Sequence, residues 1–156
     1  MPRKKLVRTK KVHLDQVHND PLIGHLIKKI LLDGKLLRAE KIVYSALDNV
    51  AEKAGKKPPE VFAEIVDLCR PRVEVKPRRV GGSTYQVPME VTKERGEALA
   101  IKWIVQFSRK KKGMPMSDRL ASELNDVLAG QGLALKKKQD THRMAEANKA
   151  FAHYKW

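Results

Sequence analysis

Cysteine is nearly absent from this chain of 156 residues. The single thiol, Cys69, permits no intramolecular disulfide and no cysteine-based zinc or iron–sulfur site within one chain, which fits a reducing compartment. Long apolar runs are missing too. Nothing approaches the roughly 18 residues of a membrane span, and the basic first residues lead into polar sequence rather than an apolar signal core. The expectation is a soluble, cytoplasmic protein. Acidic side chains are the third scarcity: 18 Asp and Glu stand against 33 Lys and Arg, giving a formal charge of +15 and a sequence pI near 10.0. A polyanionic partner is implied. The length predicts one globular unit, large enough to bury about two-thirds of its unfolded surface.

The excess charge is local. Residues 1–12, 70–79, 109–112 and 136–138 hold 18 of the basic side chains and one acid, Glu74, while the rest of the chain is slightly acidic. Scattered surface lysines would alternate with acids on helix faces. Four near-pure clusters instead match the footprint of a phosphate backbone.

Apolar spacing and punctuation define the elements. Residues 1–19 lack a sustained apolar period and are read as a flexible basic arm that orders on its ligand. Asp20-Pro21 caps a first helix, which runs through Leu22, Leu26, Ile27 and Ile30 to Asp33-Gly34. A second helix, about 35–54, repeats Leu36, Ala39, Val43, Ala46, Leu47 and Val50. Pro58-Pro59 opens a third, with Phe62, Ile65, Val66 and Cys69 on one face, so the thiol reads as core, and Pro71 ends it. The period then changes from 3.6 to 2. Val73 and Val75 alternate with Glu74 and Lys76, Gly81-Gly82 forms a tip, and Tyr85, Val87, Met89 and Val91 return, which predicts a β-hairpin with Pro77 and Pro88 tolerated on its edges. Thr92 and Ser117 are candidate caps for a fourth and a fifth helix, with Ala98, Ile101, Ile104, Val105 and Ser108, then Leu120, Ala121, Leu124, Val127 and Leu128, facing inward. A last helical segment carries Met144, Ala147 and Phe151 on one stripe. The expected fold is mainly α: residues 20–156 form one helical domain with a projecting two-stranded antiparallel β-ribbon at about 72–91, behind the arm at 1–19.

Catalytic groupings are weak. The five histidines show no zinc spacing, His142 and Glu146 read as an ordinary helix pair, and Asp15, His18 and Asp20 lie in a segment too mobile to hold a metal rigidly. Gly81-Gly82 belongs to no phosphate-cradling motif. The expectation is a non-enzyme without cofactor or metal. The ribbon is the sharpest feature, because Arg78 and Arg79 precede the glycine tip and Ser83, Thr84, Tyr85 and Gln86 follow it. Such a tip can clamp phosphates and approach a nucleic acid closely. Tyr154 and Trp156 either stack on nucleotides or tuck the terminus onto the bundle. Two readings stay open on these grounds: an architectural DNA-binding protein using a β-arm, and an RNA-binding structural protein approached from several directions.

The segments RPRVEVKPRRVGGSTYQVPMEV at 70–91, DGK at 33–35, ALAIKW at 98–103 and DTHRMAEANKAFAHYKW at 140–156 resemble the bacterial small-subunit ribosomal protein S7 family over essentially the whole chain. The resemblance implies a six-helix domain with a β-ribbon, bound to the 3′ major domain of the small-subunit ribosomal RNA, where it helps nucleate assembly of the head. It also implies a location near the decoding region. Carried over by position, Arg78, Arg79, Gly81, Gly82, Ser83, Thr84 and Tyr85 would contact exit-site tRNA and mRNA. Arg3, Lys4, Lys5, Arg8, Lys10, Lys11, Lys35, Arg70, Arg72, Lys76, Arg95, Arg109, Lys110, Lys111, Lys112, Lys136, Lys137, Lys138 and Arg143 would bind ribosomal RNA. Neighbouring head proteins and a platform protein are the implied protein partners, with KQDTHRMAEAN at 138–148 as the candidate contact.

Overall fold

A computed structural model describes residues 14–154. Six α-helices and a two-stranded antiparallel sheet follow in the order α1 (Pro21–Ile30), α2 (Leu36–Ala54), α3 (Pro58–Cys69), β1 (Val73–Val80), β2 (Ser83–Glu90), α4 (Lys93–Lys110), α5 (Met116–Leu128) and α6 (Leu133–Ala147), with a terminal 3₁₀ helix at Lys149–Tyr154. The expected helical domain with its ribbon is what forms.

Local chemistry sets the helix ends. Asp20 accepts from the Leu22 and Ile23 amides at 2.7 and 3.0 Å, and Pro21 occupies the first turn where no donor is needed. The α1–α2 link turns through Asp33 and Gly34, both at positive φ. Neither Thr92 nor Ser117 caps as expected: Thr92 precedes α4 without a side-chain cap bond, and Ser117 lies inside α5, which starts after Pro115.

The core joins all six helices. Ile23 and Leu26 of α1, Val43 and Val50 of α2, Phe62 and Ile65 of α3, Ile104 of α4, and Leu120, Leu124 and Val127 of α5 are wholly buried, with Ala134 of α6 closing one end. Each large apolar side chain contributes about 1.5–3 kcal/mol by leaving water. Cys69 is fully buried among them, and its thiol is pushed up to about 12, first by burial. That is a core residue, not a nucleophile.

Several expected faces differ. Ala98 is exposed, and α4 buries Gly96, Ala100 and Trp103 together with Ile101, Ile104, Val105 and Ser108. Met144 and Ala147 of α6 are also exposed; the inward stripe is Ala134, Thr141 and Ala145, small residues that let α6 lie close to its neighbours. The segment 14–19 is a turn seated on α2 rather than free chain. Its Asp15 is 3% exposed, accepts from the Tyr44 hydroxyl, and accepts from the His18 amide at 2.7 Å. Burial, then the Asp15 hydrogen bond, raise the Tyr44 pKa, so the phenol stays protonated as the donor. A carboxylate satisfied in this way can be buried, which a reading of the segment in isolation misses. Residues 1–13 of the expected arm lie outside the described residues.

Candidate nucleic-acid interface

The ribbon is a hairpin of register Val73↔Glu90 to Val80↔Ser83, closed by Gly81 and Gly82 at φ 56° and 88°. Two successive positive φ values are what a two-residue turn matching the strand twist requires, and only glycine takes them without strain. The Val91 amide donates to Arg72 O at 2.9 Å, which marks that pair as a hydrogen-bonded one. Bonded and non-bonded pairs alternate in an antiparallel ladder. Pro77↔Gln86 and Val75↔Pro88 therefore fall on non-bonded pairs, and neither proline removes a ladder bond.

Cross-strand partners share a face, so Glu74, Lys76 and Arg78 lie with Met89, Val87 and Tyr85. This is the inward face: Val87 is wholly buried and Glu74 is 9% exposed, whereas Val73 and Val75 point the other way and are half-buried. A carboxylate goes inward because it is matched. Arg95 donates to Glu74 through Nε at 2.8 Å and Nη2 at 2.9 Å, and Lys76 Nζ is 3.1 Å away. Burial alone would push the Glu74 carboxyl up, but hydrogen bonds and charge from Arg95 and Lys76 bring it below its ordinary 4.5. Beside it, the Arg72 amide donates to His142 Nε2 at 3.0 Å, tying the root of β1 to α6. His142 is thus an acceptor for the backbone, held neutral by burial and by Lys138 and Arg72.

At the far end, Arg79 is exposed and Arg78 half-buried beside Tyr85. Tyr85 does not project freely. Its ring centroid is 5.2 Å from that of Phe151 and 5.2 Å from that of Tyr154, so the terminal 3₁₀ helix packs on β2 rather than on the bundle. This contact links segments 66 residues apart in sequence and has no local signature. Trp156 lies outside the described residues.

The other cations separate into two kinds. Arg70, Arg72 and Lys138 gather where α3, β1 and α6 meet, and Lys136 and Arg143 share a shallow cleft at the start of α6. Lys137 lies half-buried between them on that helix. Lys138 donates to Leu68 O at 2.6 Å, and burial, then the neighbouring guanidiniums, lower its pKa. Arg70 sits 3.5 Å from Asp67, and exposed Lys35 3.9 Å from Asp33, weak surface pairs. The 109–112 run divides internally. Arg109 reaches Lys29 O and Ile30 O at 3.3 Å, satisfying carbonyls at the end of α1. Lys110 lies 5.2 Å over the Phe107 ring, and Lys112 is exposed. Lys111 is structural: its ammonium is 2.7 Å from Asp126 and 3.1 Å from Glu123, a side chain with no exposure. Glu123 Oε1 accepts the Ala134 amide at 3.0 Å, while Oε2 relies on ionic contact with Lys111 rather than an aligned hydrogen bond. Sequence reading missed Glu123, because one acid among apolar helix positions looks like an exposed turn of the helix. The remaining site residues, Arg3, Lys4, Lys5, Arg8, Lys10 and Lys11, lie outside the described residues.

No group of three or more His, Cys, Asp or Glu able to hold a metal occurs among the described residues. Asp15 and Asp20, once candidates with His18, are both committed to backbone and Tyr44. None of the described helices is long and apolar enough to cross a membrane. A small basic helical domain that holds out a glycine-tipped ribbon and cationic helix ends has the features of a nucleic-acid-binding protein.

Similarity to known proteins agrees. The profile of the family described as ribosomal protein S7p/S5e matches residues 2–149, so the chain belongs to that family, whose members are structural ribosomal proteins and not enzymes. Curated relatives named "Small ribosomal subunit protein uS7" include those of Acetivibrio thermocellus and Dictyoglomus turgidum, each 51% identical over 156 residues and all of both chains, and of Thermotoga neapolitana, 51% identical over 154 residues and 99% of each.

Proposed function

We propose that this chain, a structural constituent of the small ribosomal subunit in the cytoplasm, binds the 3′ major domain of the small-subunit ribosomal RNA and helps organise the head. The ribbon carries its tip toward exit-site tRNA and mRNA. The observation that supports this most is the division of labour among the cations: Arg95 and Lys76 neutralise Glu74, and Lys111 neutralises Glu123, while Arg79, Lys112, Lys136 and Arg143 are exposed and their side chains make no hydrogen bond or ion pair among the described residues. Exposed cations on a rigid base suit a folded RNA. They bind phosphates by releasing condensed counterions, and the shape of the scaffold supplies selectivity.

In this reading Arg70, Arg72, Lys138, Lys136, Lys137 and Arg143 form one ribosomal-RNA surface, and Lys35 with Arg109, Lys110 and Lys112 a second. Arg3, Lys4, Lys5, Arg8, Lys10 and Lys11 add a third. Lys76, Arg95 and Lys111 serve mainly to hold the scaffold that presents the others. The tip residues Arg78, Arg79, Gly81, Gly82, Ser83 and Thr84 face the exit-site ligands, and residues 138–148 face neighbouring head and platform proteins.

The test is competition binding at moderate and at high salt, with a fragment of the ribosomal RNA 3′ domain against random RNA and duplex DNA of equal length. A preference for the ribosomal fragment that survives high salt is expected. Equal binding that collapses together would remove the assignment and leave charge alone, as in an architectural DNA-binding protein.

A further inference from the structure

We propose that the terminal 3₁₀ helix, Lys149–Tyr154, is a buttress that fixes the direction of the ribbon, with Phe151 and Tyr154 acting through Tyr85 as positioning residues for the tip. The proposal rests on the assignment of the tip to RNA for its functional consequence, but not for its structural one.

A two-stranded hairpin is marginal in isolation and has no third strand to stiffen it. Something outside the sheet must hold it. Near the root, two attachments do so: the Glu74 pair with Arg95 on α4, and the Arg72 amide on His142 of α6. Val87, midway along β2, is wholly buried, and anchoring that stopped there would leave the outer half of the ribbon free to swing. The ribbon has a further attachment toward the tip, where Tyr85, the third residue of β2, packs against both Phe151 and Tyr154, with 5.2 Å to each ring centroid and 6.4 Å between those two.

Tyr85 and Met89, the partner of Glu74, lie four residues apart on the same face of β2, about 14 Å at the rise of an antiparallel strand. Two points fixed that far apart define a direction. Only Ser83 and Thr84 of β2 lie beyond the second point, so the overhanging tip is short. The Phe151 and Tyr154 rings are nearly parallel, at 11°, with Tyr85 inclined at 47° and 40° to them. All three separations fall within the roughly 4.5–7 Å over which aromatic rings attract one another beyond the burial of their area. Tyr85 is also the cross-strand partner of Arg78, so the buttress reaches the first of the tip's two arginines directly.

The terminal segment has no buried residue of its own, which excludes a main role in the core. Its contact is with the ribbon. Whatever engages residues 149–154 is thereby coupled to the tip without touching it.

The proposal is tested in the full chain with spin labels on Ser83→Cys at the tip and Glu52→Cys on α2, the buried Cys69 being inaccessible to label. Pulsed dipolar spectroscopy then gives the distribution of tip-to-bundle distances. A narrow distribution is expected for the parent and for Tyr154→Phe, which keeps the ring. At least a twofold broadening is expected for Phe151→Ala with Tyr154→Ala, the same for Tyr85→Ala, and no further change when all three are combined. Unchanged width in the alanine variants, with helicity retained, overturns the buttress. In reconstituted subunits the same variants should release exit-site tRNA about 2- to 10-fold faster, since an ordered tip no longer comes free with the fold. Broadening without faster release would uphold the buttress and count against the tip's assignment to tRNA.

Discussion

Lys111 and Glu123 form an ion pair at 3.1 Å in which the Glu123 side chain is wholly buried and the Lys111 side chain, 19% exposed, also meets Asp126 at 2.7 Å. The contact joins the α4–α5 connection to the middle of α5, and through the Ala134 amide on Glu123 it reaches the first turn of α6.

Lys111→Ala should therefore behave unlike its neighbours. Removing one partner of a buried pair leaves an uncompensated charge, a loss of about 3–5 kcal/mol. Lys110→Ala with Lys112→Ala should leave thermal unfolding nearly unchanged and weaken RNA binding. Burial works against the Lys111 ammonium, yet the hydrogen bond it donates to Asp126 and the negative charge of Asp126 and Glu123 hold its pKa above the ordinary 10.5. A group raised on folding stabilises fully below its unfolded pKa and ceases to as pH rises through the folded value. The difference in unfolding free energy between parent and Lys111→Ala should then be flat across neutral pH and shrink only in strong alkali. Denaturant titrations of both proteins across that range decide it.

Glu74 gives the opposite pH dependence. Its carboxyl is lowered below 4.5 in the folded chain, so it stabilises above its unfolded pKa and the contribution is lost as pH falls through the folded value. Glu74→Gln should remove about 1.5–3 kcal/mol at neutral pH, the range for hydrogen bonds to charged groups, and flatten the acid limb of the stability curve below about 4.5. Thermal melts of the two proteins between neutral and acid pH provide the comparison.

The contrast between these pairs and the helices shows what the sequence could reveal. Pattern and punctuation carried α1, α2, α3 and the hairpin, because Asp20-Pro21, Asp33-Gly34, Pro58-Pro59 and Gly81-Gly82 act locally, within a turn or two of where they stand. The inward faces of β1 and α6 were not legible. Glu74 is inside only because Arg95, 21 residues on, comes to meet it. The inner stripe of α6 is small and partly polar, and its space is set elsewhere: a methyl group on Gly132 would lie 2.4 Å from Val127 Cγ2, so the entry to α6 is pressed against α5. The charge clusters were visible as clusters, but which of their members hold the scaffold depends on acids far away in sequence.

His142 supplies a third titration. It accepts the Arg72 amide as the neutral imidazole, and burial, with Lys138 and Arg72 nearby, lowers its pKa from the ordinary 6.5. A histidine depressed on folding stabilises fully above its unfolded pKa, and that stability is lost as pH falls from about 6.5 through the folded value. His142→Gln, which keeps an acceptor but does not titrate, should abolish the loss of ribbon-root order on mild acidification. Amide exchange at Arg72 reads this directly: protection that falls between neutral and mildly acid pH in the parent and stays constant in the variant is the expected result.

The two tip arginines should separate in function. Arg79 is exposed on the outward face, and Arg78 lies half-buried on the inward face opposite Tyr85. Arg79→Ala should leave unfolding unaltered, weaken RNA binding by a similar factor on different sequences, and reduce the slope of log affinity against log salt by about 0.7–0.9, as for one phosphate contact. Arg78→Ala removes a side chain packed beside the aromatic cluster, so it should also loosen the ribbon. With both replaced, the domain should fold and enter the subunit while holding exit-site tRNA less firmly. Failure of that double variant to enter the particle would make the ribbon an assembly anchor, because loss of tip contacts alone leaves the helical core and the cations at the ends of α3, α4 and α6 intact.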